Sequence, residues 1–205
     1  MHYVLFSGIV PASKAAVGAE YYGTLQPILQ NISGFIEEVP FGDPTQPHRQ
    51  CLFAQFTDAA ALARWRNHPT HLRVMHDARQ NVFDEFRIVV GTDNDDAAAA
   101  AERIVNIYQR PVRTTEPGED LKRLVDGVEK TAAGKTPESK FYVGEKLLMW
   151  VSRPKGGSSV EEFEASLERV PGDAVYRVRV VREYSKGDRR EAPVGIDGAE
   201  AMAGA

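Results

Sequence analysis

Residues 56–90, FTDAAALARWRNHPTHLRVMHDARQNVFDEFRIVV, decide the fold. They read as the end of a strand, a helix, a short break, a second helix and another strand. Asp58 suits the N-cap of an Ala-rich helix, which puts Leu62 and Trp65 on one face. Pro69 has no N–H and disfavours helix in the residue before it, so it breaks or stops that helix. Thr70 is placed to cap the next one, with Leu72, Met75, His76 and Arg79 along one side and His71 and Ala78 close by. The run VFDEFRIVV is rich in β-branched and aromatic residues and reads as a strand. The stretch holds three of the five histidines and one of the two tryptophans, carried on a helical layer that must pack on a sheet.

Working outward, residues 2–10 form an apolar run ending at Pro11, consistent with a buried strand. Ser13 can cap a helix to about Asn31. Within it Val17, Tyr21, Leu25, Ile28, Leu29 and Ile32 recur at spacings of three and four, and Pro27 predicts a kink or restart. Gly34 suits the turn after that helix. Residues 35–41 and 50–56 read as strands joined by the turn GDPTQPH at 42–48. The order strand, helix, strand, strand, helix, strand over residues 1–91 is the ferredoxin-like arrangement, an antiparallel sheet with both helices on one face. Its bare face calls for a second sheet, from a second copy or from a similar unit in the same chain.

Past residue 91 the pattern loosens. Asp95 can cap a segment to Tyr108, although 104–108 reads equally well as a strand. Pro117 opens a helix to about Gly134, striped by Leu121, Leu124, Val125 and Val128. Residues 141–151 read as an apolar strand, and Ser158 or Ser159 caps a helix to Val170 carrying Val160, Phe163 and Leu167. In 175–184, Tyr176, Val178 and Val180 alternate with Arg177 and Arg179, a half-buried strand whose arginines mark a wet face. The expected organisation is a ferredoxin-like domain at 1–91, a helical linker at 92–139, a degenerate second ferredoxin-like unit at 140–186 and a disordered tail at 187–205. The fold class is α+β, an α/β barrel closed between two chains or as a tandem within one.

With 205 residues, 42% hydrophobic and 26% charged, the chain is long enough for a substantial core. A net charge of −4 with no basic block argues against nucleic-acid binding. Cys51 alone excludes an intramolecular disulfide and a four-cysteine zinc site, and fits a reducing compartment. The apolar start is too short for a membrane span, so a cytoplasmic protein is expected. There is no GxGxxG after a strand and no GxxxxGK[ST] loop.

Ser33-Gly34-Phe35, Phe56-Thr57-Asp58, Trp65-Arg66-Asn67-His68-Pro69, His71, Arg79, Phe83 and the strand 86–90 resemble the antibiotic biosynthesis monooxygenase family of dimeric α/β-barrel proteins. The resemblance covers about 90 of the 205 residues, and many members have tryptophan where Phe56 stands. It implies oxygenation without a cofactor, often of anthrone-like polyketides. Such substrates are acidic at carbon, so a protein can supply a dry aromatic pocket, a base and donors for a developing oxyanion. The expected catalytic set is His71, His76, Trp65, Asn67 and Arg79, with Phe56, Tyr21, Tyr22, Ser7, Met75 and Phe83 around a small aromatic substrate and O2. His71 leads because imidazole titrates near neutral pH. A zinc site from His68, His71 and His76 is not expected, because Pro69 disturbs their spacing. Three alternatives stand beside this reading: a non-redox cyclase or lyase, a haem-degrading oxygenase (Ser7 stands nearest the place of that family's first-strand asparagine), and a non-catalytic ligand-binding protein.

Overall fold

The computed structural model describes residues 1–93, 103–114, 117–132, 138–153 and 169–193. The chain divides into two compact units, the first made of residues 1–39, 48–90 and 182 onward, the second of 40–47 and 91–181. No helix among the described residues is long and apolar enough to cross a membrane.

The first unit holds β1 (His2–Ile9), α1 (Ala15–Gln30), α2 (Ala59–Arg66) and α3 (Pro69–Asn81). It also contains most of β2 (Phe35–Asp43), β3 (Gln46–Phe56) and β4 (Glu85–Asp93). The sheet order is β4-β1-β3-β2, with β1 and β3 antiparallel, as expected of a ferredoxin-like unit. Register fixes which side chains share a face: Leu5 lies opposite Phe53 and Ser7 opposite Cys51. Alternation then turns Val4 and Phe6 the other way, with Leu52, Ala54 and Phe56 beside them.

Local chemistry explains the helix ends. The Asp58 carboxylate accepts from the Ala61 N–H at 2.8 Å, the expected N-cap. α3 starts two residues earlier than expected. Pro69 is its first residue, and His68 rather than Thr70 is the cap, its Nδ1 accepting from the Thr70 N–H at 3.3 Å. Ser13 does not cap α1, because residues Ala12–Lys14 form a 3-10 turn and Lys14 stands at the N-cap without a side-chain bond. Pro27 sits inside an unbroken α1. Gly34 has φ +87°, the left-handed turn expected there. The β2–β3 turn is tighter than the sequence suggested: Asp43 Oδ1 accepts from the N–H groups of Thr45 (2.8 Å) and Gln46 (3.1 Å), so both strands extend into 42–48.

The second unit contains β5 (Ile104–Pro111), α4 (Pro117–Ala132), β6 (Glu138–Val143), β7 (Leu147–Arg153) and most of β8 (Ala174–Ser185). Its strand order is β8-β5-β7-β6, with antiparallel pairing throughout. The stretch expected as a helical linker thus contains a strand, β5, as well as α4. Ile104, Val105, Ile107 and Tyr108 are all buried, and a run apolar on both faces has no period to separate helix from strand. Tyr108, Leu124, Val128, Leu148 and Trp150 form this unit's core, with Trp150 stacked on Phe141. Arg177 is half-buried rather than fully wet, while Arg179 is exposed. The helix expected from Ser158 or Ser159, with Val160, Phe163 and Leu167, falls almost wholly outside the described residues, as does the Asp95 cap.

The tail reading needs correction for residues 187–193. The Arg189 guanidinium lies over the rings of Phe86 and Tyr184, and Ala192 packs against the cluster of Phe86, Ile88 and Tyr184. The rest of the tail lies outside the described residues.

Candidate functional site

A cavity of about 200 Å³ lies within the first unit, between the sheet and its helices. Its floor is the sheet face opposite Leu5 and Ser7: Val4 and Phe6 of β1, Leu52, Ala54 and Phe56 of β3, and Phe86, Ile88 and Val90 of β4. α1 contributes Tyr21, Tyr22, Leu25, Gln26 and Leu29, α2 contributes Leu62 and Trp65, and α3 contributes His71, Met75 and Arg79. Phe56 is fully buried and meets Phe35 edge to face at 5.7 Å, which fixes this part of the floor. Gly8 lets Phe83 in: a Cβ there would stand 3.0 Å from its ring. A dry cavity of about 150 Å³ takes a benzene, so this one has room for a ligand somewhat larger than one aromatic ring.

His71, Trp65, Arg79, Phe56, Tyr21, Tyr22, Met75 and Phe83 all line the cavity. Ser7 does not. It sits on the opposite sheet face, where the Arg49 guanidinium approaches its Oγ at 3.5 Å. Asn67 caps the end of α2 and accepts from Arg66 Nε at 3.3 Å, and His76 is also absent from the cavity wall. For His76 the reason is helical geometry, since the positions that face the sheet are His71, Val74, Met75 and Ala78.

His71 packs against Trp65, with ring centroids 4.2 Å apart and the planes tilted by 40°, and its Nδ1 lies 3.2 Å from the Arg66 carbonyl. A carbonyl only accepts, so Nδ1 carries the proton and Nε2 keeps its lone pair. Loss of hydration pushes the imidazole pKa down to about 4, only partly offset by the Arg66 carbonyl. Near neutrality His71 is an uncharged acceptor, and its conjugate acid is too strong for it to be an effective base.

A second polar group stands on β2, one that the sequence alone does not single out. Gln26 Nε2 donates to Glu38 Oε1 at 2.6 Å and lies 2.9 Å from the Tyr22 hydroxyl, which is itself bonded to Glu38. Burial raises the Glu38 pKa above the ordinary carboxylate value despite both bonds. Burial and the neighbouring Glu38 push Tyr22 up to about 12, so the phenol stays protonated and donates. The signal available in the sequence was Tyr22 and Gln26 at i, i+4 on the helix face turned toward the sheet. Tyr21, by contrast, donates its hydroxyl to the Asp77 carboxylate on α3, and that bond holds Asp77 below its usual pKa. Among the described residues no three His, Cys, Asp or Glu side chains are grouped for a metal ion.

The site belongs to a ferredoxin-like α+β unit with an apolar cavity that carries a few polar groups in its wall. Residues 3–77 match the model of the antibiotic biosynthesis monooxygenase family. The chain is similar to the jasmonate monooxygenase ABM of Pyricularia oryzae, 28% identical over 192 residues that cover 83% of this chain and 86% of the relative. Among solved structures, an antibiotic biosynthesis monooxygenase matches with TM-score 0.42 and 14% identity over 47% of this chain and all of its own. A Fusobacterium nucleatum protein described as a monooxygenase matches with TM-score 0.41 and 8% identity, over 89% of this chain and 93% of its own.

Proposed function

We propose that the first unit is a cofactor-independent monooxygenase, converting an acidic methylene of a small aromatic, anthrone-like substrate into a carbonyl with O2. The observation that carries the reading is the apolar cavity of the family-matching domain, with Glu38 and the neutral His71 in its wall. Glu38 takes the C–H proton, since its raised pKa makes its carboxylate the stronger base of the two. The carbanion passes one electron to O2 and the radical pair combines to a C–O bond. Glu38 returns its proton to the peroxide, then removes the second C–H proton as the O–O bond breaks and hydroxide leaves as water. Each methylene and each O2 together give one carbonyl and one water, so the reaction balances with the substrate as the sole reductant. Tyr22 and Gln26 hold the Glu38 carboxyl, and His71 Nε2 accepts from a phenol or enol of the substrate. The relative's name makes jasmonate a second compound to test.

On this reading the chain is a tandem: strand order β4-β1-β3-β2 in one unit corresponds to β8-β5-β7-β6 in the other. In the second unit Tyr108 and Trp150 pack against Leu124 and Val128 of α4 in the core.

The test is turnover of anthrone by chelator-treated protein, with and without air. Product formed in air and absent under nitrogen supports the oxygenase. Equal turnover under nitrogen replaces it with the cyclase or lyase reading.

A further inference from the structure

We infer that the natural substrate of this cavity carries an anionic group and that Arg182 anchors it. The inference rests on reading this cavity as the substrate site and adds the chemical class of what it takes.

Four guanidinium groups line the cavity, Arg66, Arg79, Arg182 and Arg189, against one carboxyl, Glu38. All four arginines are half-buried. The chain as a whole leans the other way, with 29 acidic and 25 basic residues, so the balance belongs to the cavity and not to the composition. The raised pKa of Glu38 further weakens the one negative charge that could offset them.

The arginines differ in how they are held. Arg66 donates to Asn67 at 3.3 Å, and Arg189 lies over the rings of Phe86 and Tyr184 at 5.8 and 5.1 Å. Arg79 is also engaged in an interaction. The Arg182 guanidinium has no hydrogen bond or ion pair among the described residues. Its orientation follows from β8: Arg182 and Tyr184 face the cavity, while Val181 is exposed and Glu183 pairs outward with Arg87. A charged group held half-buried beside apolar walls without a partner is costly, and a bound anion removes that cost.

The sheet order also separates the two ends of the site. β8 lies beside β4, so Arg182 and Glu38 stand at opposite ends of the series β8, β4, β1, β3, β2. Neighbouring strands are about 4.8 Å apart, which places these two strands on the order of 15–20 Å apart along the curved sheet. Side chains reaching in from both ends leave an apolar space between them. A carboxylate at Arg182 therefore presents the far end of the ligand to Glu38, Tyr22 and Gln26.

The experiment compares 1-naphthylacetate with its uncharged amide, near pH 7.5 at low salt, by calorimetry and by quenching of tryptophan fluorescence. The acid is expected to bind at least about tenfold tighter than the amide, since a charge-assisted bond is the difference between them. Arg182→Gln abolishes that preference while moving the amide's Kd less than about twofold, and Arg182→Lys keeps part of it. Equal binding of acid and amide by the wild type, binding of neither, or an equal loss of both in Arg182→Gln overturns the inference. Oxygen uptake with uncharged anthrone is measured on the same proteins. Uptake without an acid preference means that only the anion site has failed. An acid preference without uptake means that the oxygenase reading has failed and the anion site stands.

Discussion

Protonating His71 should destabilise the fold, by an amount that follows from its surroundings. Its pKa falls from 6.5 in the unfolded chain to about 4 in the folded protein because the imidazolium loses its hydration. A depressed folded-state pKa gives stability that is complete above pH 6.5 and lost as pH falls toward 4. At ~1.4 kcal/mol per unit, the full preference for the neutral ring is about 3 kcal/mol, of which about 2 is gone by pH 5. Many other groups titrate over the same range, so the comparison is with His71→Gln, whose amide can still donate to the Arg66 carbonyl and does not titrate. Urea denaturation at about pH 8 and pH 5 should show wild type losing about 2 kcal/mol relative to the variant. In melting temperature the change is roughly 4–8 °C for a chain of this size. A wild type–variant difference that stays the same at both pH values would refute the argument, because it would mean that the imidazole keeps its hydration in the folded state.

Glu38→Gln should lower kcat by about 10²–10⁴-fold with little change in KM, since an amide can hold Gln26 but cannot take a proton. The acid limb of the wild-type rate profile should lie above the ordinary carboxylate value of 4.5, the direction in which burial moves Glu38; a limb below it would remove Glu38 as the base. Gly34→Ala should cost about 3 kcal/mol in denaturant titrations. A residue at φ +87° is strained, and the new Cβ would stand 2.5 Å from Thr57 Oγ1 and 2.7 Å from the Ala61 Cβ. Trp150→Ala should cost about 3–5 kcal/mol through the void it leaves among Tyr108, Leu148 and Phe141.

The first unit was legible because its signals are local. Asp58 caps where its spacing to the apolar stripe requires, and Gly34 turns where φ must be positive. What could not be read depended on which face a strand turns inward. Val4, Leu5 and Phe6 are all apolar, so the sequence of β1 does not say that Ser7 lies on the face away from the cavity. Glu38 was missed for the converse reason: a carboxylate beside Glu37 on a short strand reads as solvent-facing. Only packing against Tyr22 and Gln26 reveals otherwise. β5 hid in a run buried on both faces. The start of the tail looked disordered because its composition is Gly-rich and charged, yet a planar guanidinium over two rings is enough to hold Arg189. His68 took the cap expected of Thr70 because its Nδ1 can accept as a serine or aspartate oxygen does.

The most direct test of the oxygenase claim is the fate of labelled oxygen. Chelator-treated protein is given anthrone under ¹⁸O2, and the carbonyl product and the water are analysed by mass spectrometry. The account predicts one labelled atom in the new carbonyl and one in water for each O2 consumed, with Glu38→Gln protein near the uncatalysed rate. Unlabelled product, or labelled product formed equally fast by Glu38→Gln, would contradict it.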